Sequence, residues 1–316
     1  MQEKKNKQRL LSLIVLSIVT MLVYLFSLDD EQLKVDKQLF QVEDQTKIDG
    51  VVLQSNRGKV EITYDGTAWK VNKKFMADRQ LVKVLFATLL QVVPKREVGE
   101  SVKDSISSAI KKSGTQVSLY EGSELIKSFY AGANVDRTQT YFQLEDNQPY
   151  LVTIPGYRVD ASQVFELDES GWRDKRVFNF NWRNLKNISV SYPKDKALDF
   201  NIDLKQKLLI IQEIEITDTT RLSNFVDDLY TLAGDQLVKK GTSASTDSLF
   251  NQSVNFQISI TDIANRNYLL KVLQWKSGQS QIPAILNDSL LMLFNKNKIF
   301  RITKTKGYFK KRNSAD

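Results

Sequence analysis

Alternation between apolar and polar residues predicts β-strands along most of the chain. Residues 60–64, 198–204 and 254–260 place an apolar side chain at every second position. Neighbouring side chains of a strand point to opposite faces, so this pattern is typical of a strand with one buried face and one solvated face. Antiparallel sheets contain such half-buried strands, whereas buried parallel sheets show continuous apolar runs. The pattern therefore predicts mainly antiparallel sheets.

A first amphipathic helix is predicted over residues 77–92, where three leucines spaced four positions apart form one stripe. Asp78 precedes this stripe and is a suitable N-cap, because a carboxylate can accept hydrogen bonds from the free N–H groups of the first turn. A weaker helical pattern follows at residues 102–110.

A second amphipathic helix is predicted within residues 217–234, with apolar side chains again on one stripe. We expect it to begin at Thr219 or Thr220, since threonine is favoured at helix N-termini. Gly234 is expected to stop it, because glycine adopts the backbone conformation that ends many helices.

The order of predicted elements occurs twice. Three strands, a helix, a hairpin and a closing pair of strands follow one another in residues 46–170 and again in 186–305, where the closing pair is 288–302. We expect an α+β fold with an internal duplication: two similar lobes, each a mainly antiparallel sheet packed with a helix. Residues 171–185 are the predicted joint between the lobes, and residues 306–316 a basic tail.

The N-terminal segment has the pattern of a transmembrane signal anchor. Residues 1–9 carry four basic residues, and residues 10–28 are uncharged. At ~1.5 Å per residue such a helix is ~28 Å long, close to the ~30 Å of a hydrocarbon core. A cleaved signal peptide has a shorter apolar region and a small-x-small site, which is lacking here. Residues 29–45 are a predicted spacer.

The basic flank sets the expected orientation, because positive residues are retained on the cytoplasmic side. We therefore expect a single-pass protein of the bacterial inner membrane, with its N-terminus in the cytoplasm and the bulk of the chain in the periplasm. The inner membrane is its first predicted partner.

Composition excludes several kinds of chemistry. The chain has no histidine and no cysteine, which excludes Ser-His and Cys-His catalysis, thiolate chemistry, zinc sites of the usual types and disulfides. Any metal would need oxygen ligands. The sequence also lacks the glycine-rich loops that hold phosphates. We expect no cofactor and no metal.

The charge distribution argues against nucleic acid as a partner. The formal net charge is +8, but basic residues are concentrated in residues 1–9 and 296–312, and the part between them is close to neutral. A nucleic-acid-binding domain shows a basic face within its folded body.

Paired carboxylates are the remaining route to hydrolysis, because an acid and a base can together cleave a glycosidic bond. Glu213 and Glu215 share one face of a predicted strand, and Asp227 and Asp228 lie opposite the apolar stripe of the second helix. The solvent-exposed face of an ordinary strand or helix shows the same pattern of acidic residues. We therefore predict no catalytic residue, and keep a carboxylate-dependent hydrolase as an alternative.

Aromatic and arginine residues alternate through the predicted joint, which has two interpretations. Guanidinium groups can stack on rings or pair with acids to form a structural clasp between the lobes, or the same residues can face a ligand. Tyr157, in the turn "IPGYRVD", is the best surface residue. The candidate partner or ligand surface comprises Tyr157, Arg158, Trp172, Arg173, Arg176, Trp182 and Arg183.

Several segments together resemble a known bacterial family. They are "TYDGTAWKV", "LVKVLFATLLQV", "TYFQLEDNQPYLVTIPG" and "WRDKRVFNFNWRNLKNISVSY". The layout is similar to the domain-of-unknown-function family DUF4340, whose members are membrane-anchored envelope proteins often encoded beside ABC transporters like those linked to gliding motility. The resemblance covers nearly the whole chain and implies an envelope partner, such as ABC transporter subunits. It carries no catalytic motif.

The anchor, the missing catalytic residue types and the resemblance lead to one expectation. The chain is expected to be a non-enzymatic, membrane-anchored periplasmic binding or scaffold protein, accessory to an envelope ABC-type transporter complex. The alternatives are a periplasmic carbohydrate- or peptide-binding module and the carboxylate-dependent hydrolase.

Overall fold

The fold consists of helices and antiparallel strands in two compact units. A computed structural model describes residues 2–28, 35–42, 44–146, 148–205, 208–211, 214, 217–238 and 244–311. Unit 1 comprises Met1–Lys59 and Lys83–Glu166, and unit 2 comprises Val60–Val82 and Leu167–Asp316. The α+β class and the two-lobe organisation are thereby confirmed, while the lobe bounds 46–170 and 186–305 stay a prediction.

The helices of the described residues are α1 (Gln2–Leu28), α2 (Arg79–Gln91), α3 (Glu100–Ser113), α4 (Glu169–Trp172), α5 (Thr219–Tyr230), α6 (Ala244–Leu249) and α7 (Lys296–Ile302). The strands of the first half are β1 (Gly50–Ser55), β2 (Gly58–Tyr64), β3 (Trp69–Val71), β4 (Phe75–Met76), β5 (Val93–Glu97), β6 (Thr115–Glu121), β7 (Glu124–Ala133), β8 (Thr140–Gln143) and β9 (Pro149–Thr153). Those of the second half are β10 (Leu185–Ser191), β11 (Phe200–Lys205), β12 (Leu208–Ile211), β13 (Gln236–Val238), β14 (Val254–Asp262), β15 (Asn267–Leu273), β16 (Gln281–Leu286) and β17 (Leu290–Asn295).

Both units contain six strands in the same antiparallel order. In unit 1 the order is β1-β6-β7-β8-β9-β5, and in unit 2 it is β10-β14-β15-β16-β17-β13. In each unit the last strand of this order comes from the middle of the sequence of the six strands. It is β5 in unit 1, which pairs with β9, and β13 in unit 2, which pairs with β17. This shared order agrees with the recurrence of elements that the sequence pattern predicts.

Register within each unit follows the period-two pattern. Val51 lies opposite Leu119 in the β1–β6 pair, and Ile188 lies opposite Ile260 in the β10–β14 pair. All four side chains are buried. Because a shift of one residue would move each apolar set to the solvent face, burial fixes this register.

Unit 2 also contains β2 from Val60 onward and the short strands β3 and β4, and the three pair antiparallel in that order. The edge of this group contacts the segment after α4, where the N–H of Asp78 donates to the carbonyl of Trp172 at 2.8 Å and that of Asp174 to the carbonyl of Met76 at 2.8 Å. The first part of the predicted joint is thus hydrogen-bonded within unit 2.

Aromatic side chains fill the core of unit 1. Phe40, Phe129, Phe142 and Phe165 are fully or almost fully buried, and the rings of Phe129 and Phe142 stack at 5.0 Å. Phe40 lies within the predicted spacer of residues 29–45, yet its ring packs edge-on against Phe142 at 5.4 Å. The later part of that spacer is therefore part of the core, and residues 29–34 and 43 lie outside the described residues.

Unit 2 has a second aromatic core that joins distant parts of its chain. The ring of Phe309 lies 5.2 Å from that of Phe200 in β11 and 5.4 Å from that of Phe225 in α5. Phe309 is fully buried within the 3-10 helix Lys306–Phe309. The predicted basic tail therefore starts with residues that complete the core.

The first amphipathic helix is confirmed as α2, and the weaker pattern at residues 102–110 is part of α3. The carboxylate of Asp78 caps α2 as expected, since Oδ1 accepts from the N–H of Gln80 at 2.8 Å and of Leu81 at 3.2 Å. The predicted N-cap thus satisfies two free donors of the first turn.

The second helix is confirmed as α5 and begins at Thr219 as expected, but its predicted stop at Gly234 was wrong. Its N-cap is Asp218, whose Oδ1 accepts from the N–H of Arg221 at 3.1 Å. The helix ends at Tyr230 with Thr231 as its C-cap. Gly234 lies beyond the helix, where an added Cβ would stand 2.6 Å from Cε of Met292. A larger residue at this position would therefore displace the flexible end of the Met292 side chain.

The predicted closing strand pair at residues 288–302 was wrong in its second half, which is helix α7. Asn295 ends β17 and caps this helix, because its side chain accepts from the N–H of Asn297. Ile299 and Ile302 are both buried and lie three positions apart, which is a helical spacing. The two closing strands of unit 2 are instead β16 and β17.

Helix α1 covers the predicted anchor, residues 10–28. Its described apolar side chains are exposed, as for Leu11, Leu16 and Met21, each between 63% and 67% accessible. Among the residues that the structure describes, no helix combines the length and the apolarity needed to cross a membrane. The side chains of residues 24–28 lie outside the described part.

The aromatic core of unit 2 generates a stability prediction. Phe309→Ala removes a buried ring between Phe200 and Phe225, and we expect the free energy of unfolding to fall by about 3–5 kcal/mol. Phe300→Ala is the matched control, since Phe300 is 48% exposed and its loss should cost about 1 kcal/mol or less. Urea denaturation of both variants measures the difference. Equal losses would contradict the packing of Phe309.

Candidate functional site

The structure places the seven residues of the predicted surface in two units. Tyr157 and Arg158 belong to unit 1, and the other five belong to unit 2.

Trp172 lies in the core of unit 2 and not on a surface. Its ring is fully buried at the end of α4, which is capped by Asp168 through a hydrogen bond from the N–H of Gly171 at 2.7 Å. Its indole Nε1 has no hydrogen-bond partner among the described residues. A fully buried ring offers no face to a ligand, so Trp172 supports the structural interpretation of this segment.

Arg173 and Arg176 are also held by contacts within unit 2. The guanidinium carbon of Arg173 lies 3.6 Å from the centre of the Phe75 ring, a stacked cation–π arrangement. Desolvation lowers the pKa of Arg173, with Glu169 acting against that shift. Arg176 binds Asp174 through Nε and Nη2, and this hydrogen bonding raises the pKa of Arg176. Both arginines therefore have structural partners.

Trp182 and Arg183 are more accessible. Trp182 is 40% exposed, and its Nε1 donates to Oδ1 of Asp227 at 2.9 Å. Arg183 is exposed, while its backbone N–H donates to the side chain of Asn181 at 2.9 Å. Within the described part of the chain, the Arg183 side chain has no ion pair, so both side chains are accessible to a partner.

The described carboxylates of the hydrolase alternative have other contacts. Asp227 accepts the indole hydrogen bond of Trp182, and Asp228 lies 3.7 Å from Nη1 of Arg301. Glu213 and Glu215 lie outside the described residues. Among the described residues, no group of three or more acidic side chains is arranged to hold a metal ion.

A groove of about 470 Å³ in unit 1 contains the two remaining predicted residues. Its floor is β9, from Leu151 to Thr153, and its walls include Tyr157 and Arg158. The volume is within the range of small-molecule pockets, roughly 300–1,000 Å³. We call it the Tyr157 groove.

The turn that follows β9 presents Tyr157 to this groove. The N–H of Tyr157 donates to the carbonyl of Ile154 at 3.0 Å, and Gly156 between them has a φ of 82°. Pro155 followed by a glycine with positive φ is the arrangement of a type II turn. The turn leaves the Tyr157 ring 63% exposed, as the sequence predicts.

Lys95 also lines the groove, and sequence reasoning missed it. Pro94 pairs with Val152 and Arg96 with Leu151, which leaves Lys95 between them as the extra residue of a β-bulge. A bulge redirects the side chain of the unpaired residue. The only available signal was a proline inside a short strand, which is typical of edges and bulges.

Arg137 is the second missed residue of the groove. Its φ is +54°, in a turn where its N–H donates to the carbonyl of Asn134 at 3.0 Å. A positive φ is uncommon for arginine, so the surrounding contacts must hold this conformation. No sequence pattern indicates such a turn without glycine.

Two carboxylates hold the Arg137 side chain. Nη1 lies 2.8 Å from Oδ2 of Asp160, and Nη2 lies 2.6 Å from Oε2 of Glu166. The hydrogen bond to Glu166 is the main cause of the raised pKa of Arg137. Asp160 is only 7% exposed, and its Oδ1 also accepts from Thr140 and Ser162. This network fixes one wall of the groove.

The comparison with known families is decisive for the identity of the chain. The sequence model of the family described as "Domain of unknown function (DUF4340)" matches residues 69–251, more than half of the chain. The chain belongs to this family. No curated protein and no solved structure matches it.

The matched DUF4340 region contains all seven predicted surface residues as well as Lys95 and Arg137. It excludes helix α1 and the buried Phe309. The Tyr157 groove is thus a feature of the DUF4340 part of the chain.

The Arg137 network generates a second prediction for this DUF4340 protein. Arg137→Gln leaves two largely buried carboxylates without their cation, and we expect the free energy of unfolding to fall by about 1–2 kcal/mol. Lys103→Gln is the matched control, because its partner Glu100 is 86% exposed and exposed pairs contribute about 0–1 kcal/mol. Chemical denaturation at neutral pH compares the two. A control that loses as much stability as Arg137→Gln would contradict the assignment.

Proposed function

We propose that this chain is a non-enzymatic binding or scaffold protein of the bacterial envelope, anchored in the inner membrane by its N-terminal helix and carrying its two units in the periplasm. Its partner is an ABC-type transporter complex, to which it is an accessory.

The exposed apolar surface of α1 carries the proposal. Leu11, Leu16 and Met21 point in different directions around the helix and are all more than 60% exposed. An apolar surface of this size requires a cover of lipid or protein. The sequence favours lipid, since residues 10–28 form an uncharged run of about the length that spans a bilayer.

The orientation follows from charge. Lys4, Lys5, Lys7 and Arg9 precede the apolar run, and acidic residues Asp29 and Asp30 follow it. Basic flanks remain on the cytoplasmic side, so both units are exported.

The scaffold role is supported by the construction of the two units. Each has a row of six antiparallel strands within its sheet and its own aromatic core, so each is able to present a rigid surface to a partner. The transporter as partner, with its link to gliding motility, rests on the family resemblance alone.

A carbohydrate- or peptide-binding module in the periplasm is the second candidate. One observation favours it: Tyr157 is 63% exposed at a groove of about 470 Å³. Binding of a small ligand is compatible with an accessory role.

The anchor is tested by charge substitution in α1. In the double variant Leu16→Lys/Val19→Lys, each lysine costs about 2.5–3.5 kcal/mol at the centre of a membrane helix, so we expect alkaline carbonate to extract the chain from membranes. The matched variant Leu16→Ala/Val19→Ala and the wild-type chain should stay in the membrane pellet. Extraction of the wild-type chain would contradict the anchor.

The partner is tested by crosslinking in intact cells, followed by purification in mild detergent and mass spectrometry. We expect subunits of an ABC permease to be recovered with the full chain. The control is residues 1–34 fused to an unrelated periplasmic domain, which keeps the anchor and loses both units. Recovery of the full chain alone, or equal recovery of permease with the control, would contradict the accessory role.

A further inference from the structure

We propose that the Tyr157 groove binds an acidic saccharide, a sugar ring that carries a carboxylate. This proposal rests on the second candidate function and names its ligand class.

The charge of the groove favours an anion. Three cationic residues line it, Lys95, Arg137 and Arg158, and no carboxylate is among its described lining residues. Arg137 is already paired with two acids, so this network of one cation and two carboxylates has a formal charge of −1, and together with Lys95 and Arg158 the groove has a formal charge of +1. Lys95 and Arg158 are exposed, and neither has an ion pair in the described part of the chain. The two remaining cations can therefore bind a carboxylate.

The backbone directs these cations towards the groove. Lys95 is the unpaired residue of the β5 bulge, and Arg158 follows the type II turn that ends at Tyr157. Their positions depend on a bulge and a turn that neighbouring strands hold in place. Less ordering of the backbone is then needed when a ligand binds, which favours affinity.

Tyr157 and the polar lining favour a sugar over a small inorganic anion. An exposed tyrosine ring offers a flat apolar face with a hydroxyl at its tip, on which the C–H face of a sugar ring can lie. Thr138, Gln139 and Thr153 also line the groove, and their side chains can donate to and accept from sugar hydroxyls. The space is larger than an inorganic anion requires.

An acidic peptide is a poorer fit, because the neighbouring edge cannot take an added strand. β5 is the last strand of its row, but Pro94 lacks an N–H and the bulge at Lys95 breaks the ladder. Edges with proline and bulges resist the addition of a strand. A compact ring ligand needs no such edge.

Titration calorimetry of the full chain in detergent tests the proposal. The probes are a disaccharide with a terminal glucuronate and the same disaccharide with neutral glucose. We expect the acidic probe to bind at least about tenfold more tightly, and its affinity to fall with added salt because exposed charges are screened.

Variants locate the site. Lys95→Gln and Arg158→Gln should each weaken the acidic probe about threefold to tenfold and leave any binding of the neutral probe unchanged. Tyr157→Ala should abolish binding of the acidic probe, and Tyr157→Phe should retain most of it. Lys112→Gln, an exposed lysine of α3 outside the groove, is the matched control and should bind normally. These exposed substitutions are expected to keep the thermal midpoint of the wild-type chain.

Three results would overturn the proposal and are distinct from one another. If both probes bind with equal affinity and Tyr157→Ala abolishes binding of both, the groove is a binding site but its ligand is not an acidic saccharide. Binding of a glutamate-rich peptide without binding of either disaccharide would replace the saccharide with a peptide. No binding of any of the three probes would refute the binding function of the groove itself.

Discussion

Burial of every second side chain on one face of each strand is the constraint on which this fold depends. In β14, Phe256, Ile258 and Ile260 alternate with partly exposed residues, and β10 supplies Ile188 and Val190 opposite Ile260 and Ile258. A register shift of one position would expose these side chains. The same constraint operates in the β1–β6 pair of unit 1. The pattern is local in sequence, so it specifies which face of each strand is buried before the strand finds its partner.

This local character explains what the sequence could predict. Strands, the antiparallel arrangement and helices α2, α3 and α5 were all indicated by periodicity over long windows. The errors were at short segments, where apolar spacing is ambiguous. The sequence pattern predicts a strand from Lys296 to Ile302, whereas a cap at Asn295 and two buried isoleucines make this run helical. Helix α5 begins at Thr219 as expected, but it ends at Tyr230 with Thr231 as its C-cap, before the predicted stop at Gly234.

The candidate site was predicted less completely, because its parts come from distant segments. Tyr157 was visible in the motif "IPGY", whose proline and glycine define a turn. Lys95 depends on the register between β5 and β9, which no window of sequence contains. Arg137 donates a hydrogen bond to Glu166, which lies 29 positions later in the sequence. Conversely, Trp172 was predicted to lie on the binding surface but is buried. The type of a residue does not show which face of its segment packs into the core.

The burial of Phe309 also determines when unit 2 can finish folding. Its ring packs against Phe200 and Phe225, so the core of unit 2 stays open until residue 309 has been synthesised. Contacts of such long sequence separation slow folding, and an incomplete core exposes apolar strands that aggregate. Unit 1 ends at Glu166, so all of its residues are available for folding well before the core of unit 2 can close.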